Sequence, residues 1–166
     1  MRLPLRLLIL AWTPFLLSSC AAQNQGHAPI KKPALKKPMK DIYVAGGCFW
    51  CLEPLFEDLE GVTEVEVGYA GGQSAQTNYR EVCGGQTGHA EALRIVYDST
   101  KISAHDLFTI FFTVHNPTTL NQQGPDHGTQ YRSAIFYRTE AEHELAVKVK
   151  NEITAAKIWP QPIVTS

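Results

Sequence analysis

The chain has 166 residues, 44% of them hydrophobic and 19% charged, with a formal net charge of −1 at pH 7. The basic residues crowd toward the N-terminus. Residues 41–166 hold 8 Lys or Arg against 16 Asp or Glu, a length that suits one compact domain and a balance that disfavours nucleic acid as a partner.

Arg2 and Arg6 open the chain, Leu7 to Leu17 is apolar apart from Thr13, and Ser18-Ser19-Cys20 follows. This stretch is too short to span a bilayer as a helix and reads as a secretory signal. Leu17-Ser18-Ser19-Cys20 resembles the bacterial lipoprotein signal, which implies removal of residues 1–19 and lipidation of Cys20; an ordinary signal cleaved near Ala21-Ala22 is the alternative. Residues 20–40 form a linker with Pro29, Pro33 and Pro38, five lysines and no acid, which suits an extended spacer or an anionic headgroup surface. The domain is expected at 41–166.

Asp41 to Ala45 reads as a strand, Gly46-Gly47 as a turn, and Phe49 to Leu59 as a helix with Leu52, Leu55, Phe56 and Leu59 on one stripe. Pro54 falls in its first turn and Gly61 ends it. Val62 to Tyr69 alternates, with Val65, Val67 and Tyr69 opposite Glu64 and Glu66. Gln73 to Thr87 reads as a loop and His89 to Tyr97 as a third strand. Ser103 and Asp106 have capping-box spacing before a helix that stops at Asn116-Pro117. Thr118 to Arg132 reads as a long polar loop, a kind that is more often functional than idle. Ser133 to Tyr137 is a fourth strand, Thr139 and Glu142 open a last helix, and Pro162 to Ser166 has the makings of a further strand. The order predicts an α+β, two-layer sandwich: a ferredoxin-like split βαβ with helices on one face of a mixed, largely antiparallel sheet.

Gly46-Gly47-Cys48-Phe49-Trp50-Cys51 is the densest chemical motif. A cysteine at a helix start meets unpaired N–H groups and the positive end of the helix dipole, so Cys48 is expected to favour its reactive thiolate. The Cys-x-x-Cys spacing admits half a zinc site, a structural disulfide or a catalytic dithiol. Zinc lacks a matching second pair, since Cys83 and His89 are ill spaced, and the glycine turn and helix start favour the dithiol. Glu91 shares strand parity with Leu93, Ile95 and Tyr97. If that face is buried its pKa rises and it suits a general acid; otherwise it is an exposed strand-end carboxylate. Tyr79 and Tyr131 are loop phenols, and Asp126-His127-Gly128 reads as a polar turn. A Cys–His hydrolase would need His89, His115 or His127 beside Cys48, and would leave Cys51 idle.

Gly46-Gly47-Cys48-Phe49-Trp50, Gly68-Tyr69-Ala70-Gly71-Gly72, Tyr79-Arg80-Glu81-Val82-Cys83, Thr87-Gly88-His89-Ala90-Glu91 and Asp126-His127-Gly128-Thr129-Gln130-Tyr131-Arg132-Ser133 together resemble the peptide methionine sulfoxide reductase A family, in order and spacing, over roughly residues 41–165. The resemblance implies reduction of methionine-S-sulfoxide, protein-bound or free. It implies Cys48 as nucleophile, Glu91 as acid, Tyr79 and Tyr131 as holders of the sulfoxide oxygen, Phe49 and Trp50 as the pocket for the methyl group, and Asp126 as a polar residue of the same site. Cys48 would pass through a sulfenic acid, then a disulfide opened by an external thioredoxin-like dithiol, with no metal or organic cofactor. Many members carry the resolving cysteine in a C-terminal tail. Here no cysteine follows Cys83, and the resemblance gives the resolving role to Cys51, with Cys83 as the alternative. Relatives also continue past Ile163-Val164-Thr165-Ser166, so a C-terminal tail is expected to be missing.

The whole reading is a monomeric, exported reductase, lipid-anchored in the bacterial cell envelope, repairing oxidised proteins or peptides. Its rivals are a thioredoxin-like disulfide-exchange lipoprotein and a non-enzymatic lipoprotein with structural cysteines.

Overall fold

Leu52 and Phe56 stand one turn apart on the first helix and are both buried, which is what the apolar spacing around the cysteine motif predicts. The computed structural model describes residues 38–74 and 77–166. The expected signal, the expected lipidation site Cys20 and most of the expected 20–40 linker lie outside the described residues. In chain order the elements are β1 (Met39–Gly46), α1 (Phe49–Glu57), β2 (Val62–Ala70), α2 (Tyr79–Cys83), β3 (Ala90–Asp98), α3 (Ala104–Val114), β4 (Gln122–Gln123), β5 (Asp126–His127), a 3-10 turn (Thr129–Tyr131), β6 (Ser133–Phe136) and α4 (Glu140–Ala155). The first strand therefore takes Met39 and Lys40 from the expected linker.

The main sheet has the order β2-β3-β1-β6, and β4 and β5 form a separate small hairpin. Helices and strands combine as the split βαβ expectation requires, but the expected mixed sheet is antiparallel in each of its strand pairs. The reason is topological. The crossover through α1 makes β1 and β2 parallel, and β3 then inserts between them, antiparallel to both. Outside these pairs, a parallel exchange occurs at Ser166: its N–H donates to Ser133 O at 3.3 Å, and Ile135 N–H donates to Ser166 O at 2.9 Å.

Strand alternation sorts the sheet into two faces. The helix-covered face carries Ile42, Val44, Leu93, Ile95 and Tyr97, which pack with Phe49, Leu52, Phe56, Leu107, Phe108, Phe111, Phe112, Val149 and Ile153. Fully burying each such side chain is worth about 1.5–3 kcal/mol. The other face has a patch of Ala45, Ala90, Ala92 and Ala134, and an ion-pair cluster in which Asp41 binds Arg94 at 2.9 Å and Arg138 at 2.6 Å.

Caps fix the helix ends. Ser103 and Asp106 form the expected box on α3, and the Thr139 side chain accepts from Glu142 N–H on α4. Two expected loops hold structure. Asn78 and Glu81 make a full capping box that starts the short α2 inside Gln73–Thr87, and the hairpin and 3-10 turn order Thr118–Arg132.

Candidate active site

Cys48 is the N-cap of α1; its carbonyl accepts from Cys51 N–H at 3.0 Å and from Leu52 N–H at 3.3 Å. Two glycines let β1 turn this sharply into the helix. Gly47 has φ +100°, and a Cβ there would meet Gln123 Cγ at 2.5 Å; one on Gly46 would meet the His115 ring at 2.9 Å. Gln123 is itself tied to the Asn116 backbone, taking its N–H at 3.2 Å and donating to its carbonyl at 3.3 Å. The chain therefore passes between two fixed side chains and delivers Cys48 to one place.

Glu91 stands opposite Tyr69 in the β2–β3 register, on the helix-covered face, and is only 2% exposed. This decides its two sequence readings in favour of the buried one. Its Oε2 accepts from Phe49 N–H at 3.0 Å, so the carboxyl lies at the start of α1, next to the nucleophile candidate. Burial raises its pKa; the Phe49 N–H works against that and the Asp126 charge adds to it. A carboxyl so placed holds its proton longer than an exposed one and is suited to donate it.

Cys48 corrects one expectation. Its thiol is half-buried, and burial pushes its pKa up, not down. The N–H groups of Trp50 and Cys51 do favour the thiolate, as the helix start suggests, but desolvation outweighs them and the adjoining Cys51 thiol adds to the rise. The resting nucleophile is a thiol.

Around this pair lies an aromatic wall. The Phe49 ring is 5.2 Å from Trp50 and 5.8 Å from Tyr69, and Trp50 is 5.5 Å from Tyr79. Phe49 is buried while Trp50 is 57% exposed, so of the two expected pocket aromatics Trp50 meets solvent and Phe49 backs it from the core. Tyr79 and Tyr131 come from α2 and from the 3-10 turn, far apart in sequence, and both phenols are raised in part by the Glu91 charge. Asp126, on β5, acts on both Glu91 and Tyr131. The structure thus gathers Cys48, Phe49, Trp50, Tyr79, Glu91, Asp126 and Tyr131 in one region.

Three further residues belong to it: Tyr69 and Gln123, which sequence reasoning passed over, and Cys83, in a role the sequence did not suggest. Tyr69 packs on Phe49 and feels the Glu91 charge; its parity with Val65 and Val67 hid it among packing residues. Cys83 sits one turn from Tyr79 on α2 and hydrogen-bonds its phenol, which pushes the Tyr79 pKa up to about 12. Gln123 holds Gly47, and nothing in the sequence signals it. Cys51 is exposed, and Cys48 and Cys51 both open into a groove of about 270 Å³ beside α1.

The Cys–His alternative fares poorly. His115 is committed at both ring nitrogens, to Phe111 O at 2.6 Å and Ser133 Oγ at 2.7 Å, and burial lowers its pKa to about 4. His89 Nδ1 accepts from Gly72 N–H at 3.2 Å, and its Nε2 faces Ser74 O at 2.8 Å. His127 lies exposed on β5. Among the described residues no group of three or more His, Cys, Asp or Glu is placed to hold a metal.

Comparison with known proteins bears on family and fold. The chain is 51% identical over 122 residues to the peptide methionine sulfoxide reductase MsrA of Deinococcus radiodurans, an alignment covering 74% of this chain and 59% of that relative's length. Reduced Mxr1 of Saccharomyces cerevisiae is similar in structure, with a TM-score of 0.71, 38% identity, and coverage of 76% of this chain and 74% of that one. Mxr1 in complex with Trx2 is similar at a TM-score of 0.56 and 26% identity, covering 81% of this chain and 80% of that one. The family model for peptide methionine sulfoxide reductase matches residues 40–166. On that match, the chain belongs to the peptide methionine sulfoxide reductase family.

Proposed function

We propose that this protein reduces the S epimer of methionine sulfoxide, free or within proteins, by direct transfer of the sulfoxide oxygen to Cys48. The observation that carries the reading is the buried Glu91 carboxyl, its pKa raised by burial, which accepts from Phe49 N–H at the helix end that bears Cys48. A sulfoxide oxygen is a poor leaving group until it is protonated. Glu91 supplies that proton, while the phenols of Tyr79 and Tyr131 donate hydrogen bonds to the same oxygen. The sulfur of the substrate becomes electrophilic and Cys48 attacks it. An S–S bond forms first; the hydroxyl then passes from the substrate sulfur to the Cys48 sulfur as the S–O and S–S bonds break, methionine leaves, and Cys48 is left as a sulfenic acid.

Because the resting Cys48 is a thiol, its proton must leave as the new bond forms, and the Glu91 carboxylate left by the first proton transfer takes it up. The Trp50 and Cys51 N–H groups stabilise the charge that develops on its sulfur. Cys51, exposed and one helical turn on, then attacks the sulfenic sulfur; water leaves and a Cys48–Cys51 disulfide forms. A thioredoxin-like dithiol reopens it by exchange and becomes oxidised itself. The complex of the similar Mxr1 with Trx2 supports this choice of reductant. Trp50 and Phe49 receive the methyl group, and Asp126 tunes the Glu91 proton by its charge.

Turnover of the resolved epimers with dithiothreitol tests this. The S epimer is consumed and the R epimer is not; consumption of neither, or of R alone, refutes the reading. Export is proposed on the same footing, with the signal at 1–19 removed and Cys20 lipidated at the membrane of a bacterial envelope. A Cys20→Ser variant should move from the membrane to the aqueous fraction, and an unchanged partition counts against the anchor.

A further inference from the structure

The groove of about 270 Å³ at the cysteines has a composition unlike the aromatic wall. Cys48, Cys51, Leu52, Leu55, Val114 and Pro125 line it, and Asp126 is the one charged side chain on its walls at neutral pH. Trp50, Tyr79, Glu91 and Tyr131 are not among its walls. Cys48 thus lines a largely apolar groove that it shares with Cys51 and not with the carboxyl and the phenols. Leu55 is 45% exposed and stands one turn after the exposed Cys51 on α1, so both present to solvent along one edge of the groove.

We infer that this groove, with Leu55, Val114 and Pro125 as its apolar contacts, is the docking surface for the protein dithiol that reopens the Cys48–Cys51 bond, and that it is separate from the surface that takes the sulfoxide. The inference rests on the proposed reaction and names where its second half occurs. Exchange requires access to the attacked sulfur and a good leaving thiol. Cys51 is the accessible sulfur. Cys48, half-buried at the N-cap of α1, is then the leaving sulfur, with the N–H groups of Trp50 and Cys51 against the charge that develops on it. The partner's thiolate attacks Cys51 sulfur, a mixed disulfide forms, the Cys48–Cys51 bond breaks, and Cys48 leaves as a thiolate that takes up a proton. The partner's second thiol then attacks its own partner sulfur, frees Cys51 and carries both electrons' worth of oxidation away as a disulfide. The occupant is thus a protein whose exposed dithiol is ringed by apolar rather than acidic residues, as the nearly uncharged groove and its single Asp126 demand.

The test compares two reductants on the same protein, dithiothreitol and reduced thioredoxin. Leu55→Glu places a charge on the exposed edge of the groove without touching the buried Leu52 and Phe56 of α1. It should raise the KM for thioredoxin about tenfold or more, with dithiothreitol-supported turnover of the S epimer within twofold of the original. Val147→Glu, at an exposed position on α4, should change neither. An unchanged thioredoxin KM in Leu55→Glu overturns the inference, and so does an equal loss with both reductants, because the groove would then serve the chemistry itself. Absence of dithiothreitol-supported turnover in the unaltered protein refutes instead the proposed reaction on which the inference stands.

Discussion

Two neighbouring rows of the same sheet face make opposite use of the same backbone. One row reads Val67, Leu93, Val44 and Ile135 across β2, β3, β1 and β6, each paired with the next. One step toward the α1 end of the sheet, the same strands present Tyr69 opposite Glu91 and Gly46 opposite Ser133. Leu93 and Val44 in the first row are wholly buried in the main core. In the second row the side chains are a phenol, a carboxyl, a hydrogen and a hydroxyl. Strand geometry gives both rows the same precision of position, and the core holds the second row steady. A single period of alternation thus separates residues that hold the fold from residues to which the proposed chemistry is assigned.

The largest test of that division is Glu91→Gln. The amide oxygen still accepts from Phe49 N–H, but there is no acid proton to give. We expect kcat for the S epimer to fall by about 10²–10⁴-fold, measured with dithiothreitol so that the recycling step is unchanged. Stability should move the other way at neutral pH. Because the folded protein raises the Glu91 pKa, its contribution is fully present below the ordinary carboxylate value and is lost as pH rises through the folded value. Glu91→Gln should therefore gain stability relative to the original at pH 8 more than at pH 4 in urea unfolding. Equal differences at both pH values would show that Glu91 is not held protonated.

Leu93→Ala breaks the adjacent row. Its side chain is fully buried among large neighbours, so the change should cost about 2–5 kcal/mol in urea unfolding. With the variant still folded, kcat/KM should remain near its original value. A loss of kcat comparable to that of Glu91→Gln would erase the distinction between the rows.

Much of this plan is legible from the sequence. Alternation in His89–Tyr97 puts Glu91 on the same face as Leu93, and apolar spacing around Leu52 and Phe56 sets the helix that starts at Cys48. Five local motifs carry the family resemblance. What the sequence does not reveal depends on contacts between distant segments. That β3 lies between β1 and β2 follows from the split βαβ order, but that each strand pair of the main sheet is antiparallel is seen only in the pairing itself. The Asn78–Glu81 capping box was present as a spacing, but a polar, glycine-containing stretch masked the five-residue helix it starts. The Cys48 thiol is the instructive miss. A helix start favours the thiolate locally, yet desolvation by the folded surroundings is larger, and no window of sequence contains it.

His115 extends the polar row behind Gly46, and its titration opposes that of Glu91. Its Nδ1 donates to Phe111 O, so Nε2 accepts from Ser133 Oγ, which in turn is 2.7 Å from Thr165 Oγ1. With its pKa lowered to about 4, the folded state resists the proton that the unfolded chain takes up near 6.5. The stability it contributes is complete above about 6.5 and is lost as pH falls toward 4, by about 3 kcal/mol. Glu91 gains stability over part of that range, so the two partly cancel. Urea unfolding of Glu91→Gln between pH 7 and pH 4 isolates the histidine and should show the steeper fall. A profile no steeper than that of the original would mean that His115 accepts its proton within the fold.

The smallest expected effect lies outside both rows. Tyr79 is carried by α2, is 46% exposed, and gives its hydroxyl to Cys83 in the free protein. Its removal leaves no buried group without a partner, so Tyr79→Phe should change stability little. Loss of one essential oxyanion donor ordinarily costs 10²–10³-fold, but in the proposed reaction Tyr131 and Glu91 would remain on the same oxygen, and the expected fall in kcat is roughly tenfold. Ultraviolet titration supplies a second reading: the original protein has a phenol that ionises near pH 12 and the variant lacks it. A thousandfold fall in kcat would move Tyr79 from a helper of the Glu91 proton to its equal, and would make α2, rather than the sheet row alone, a principal source of the chemistry.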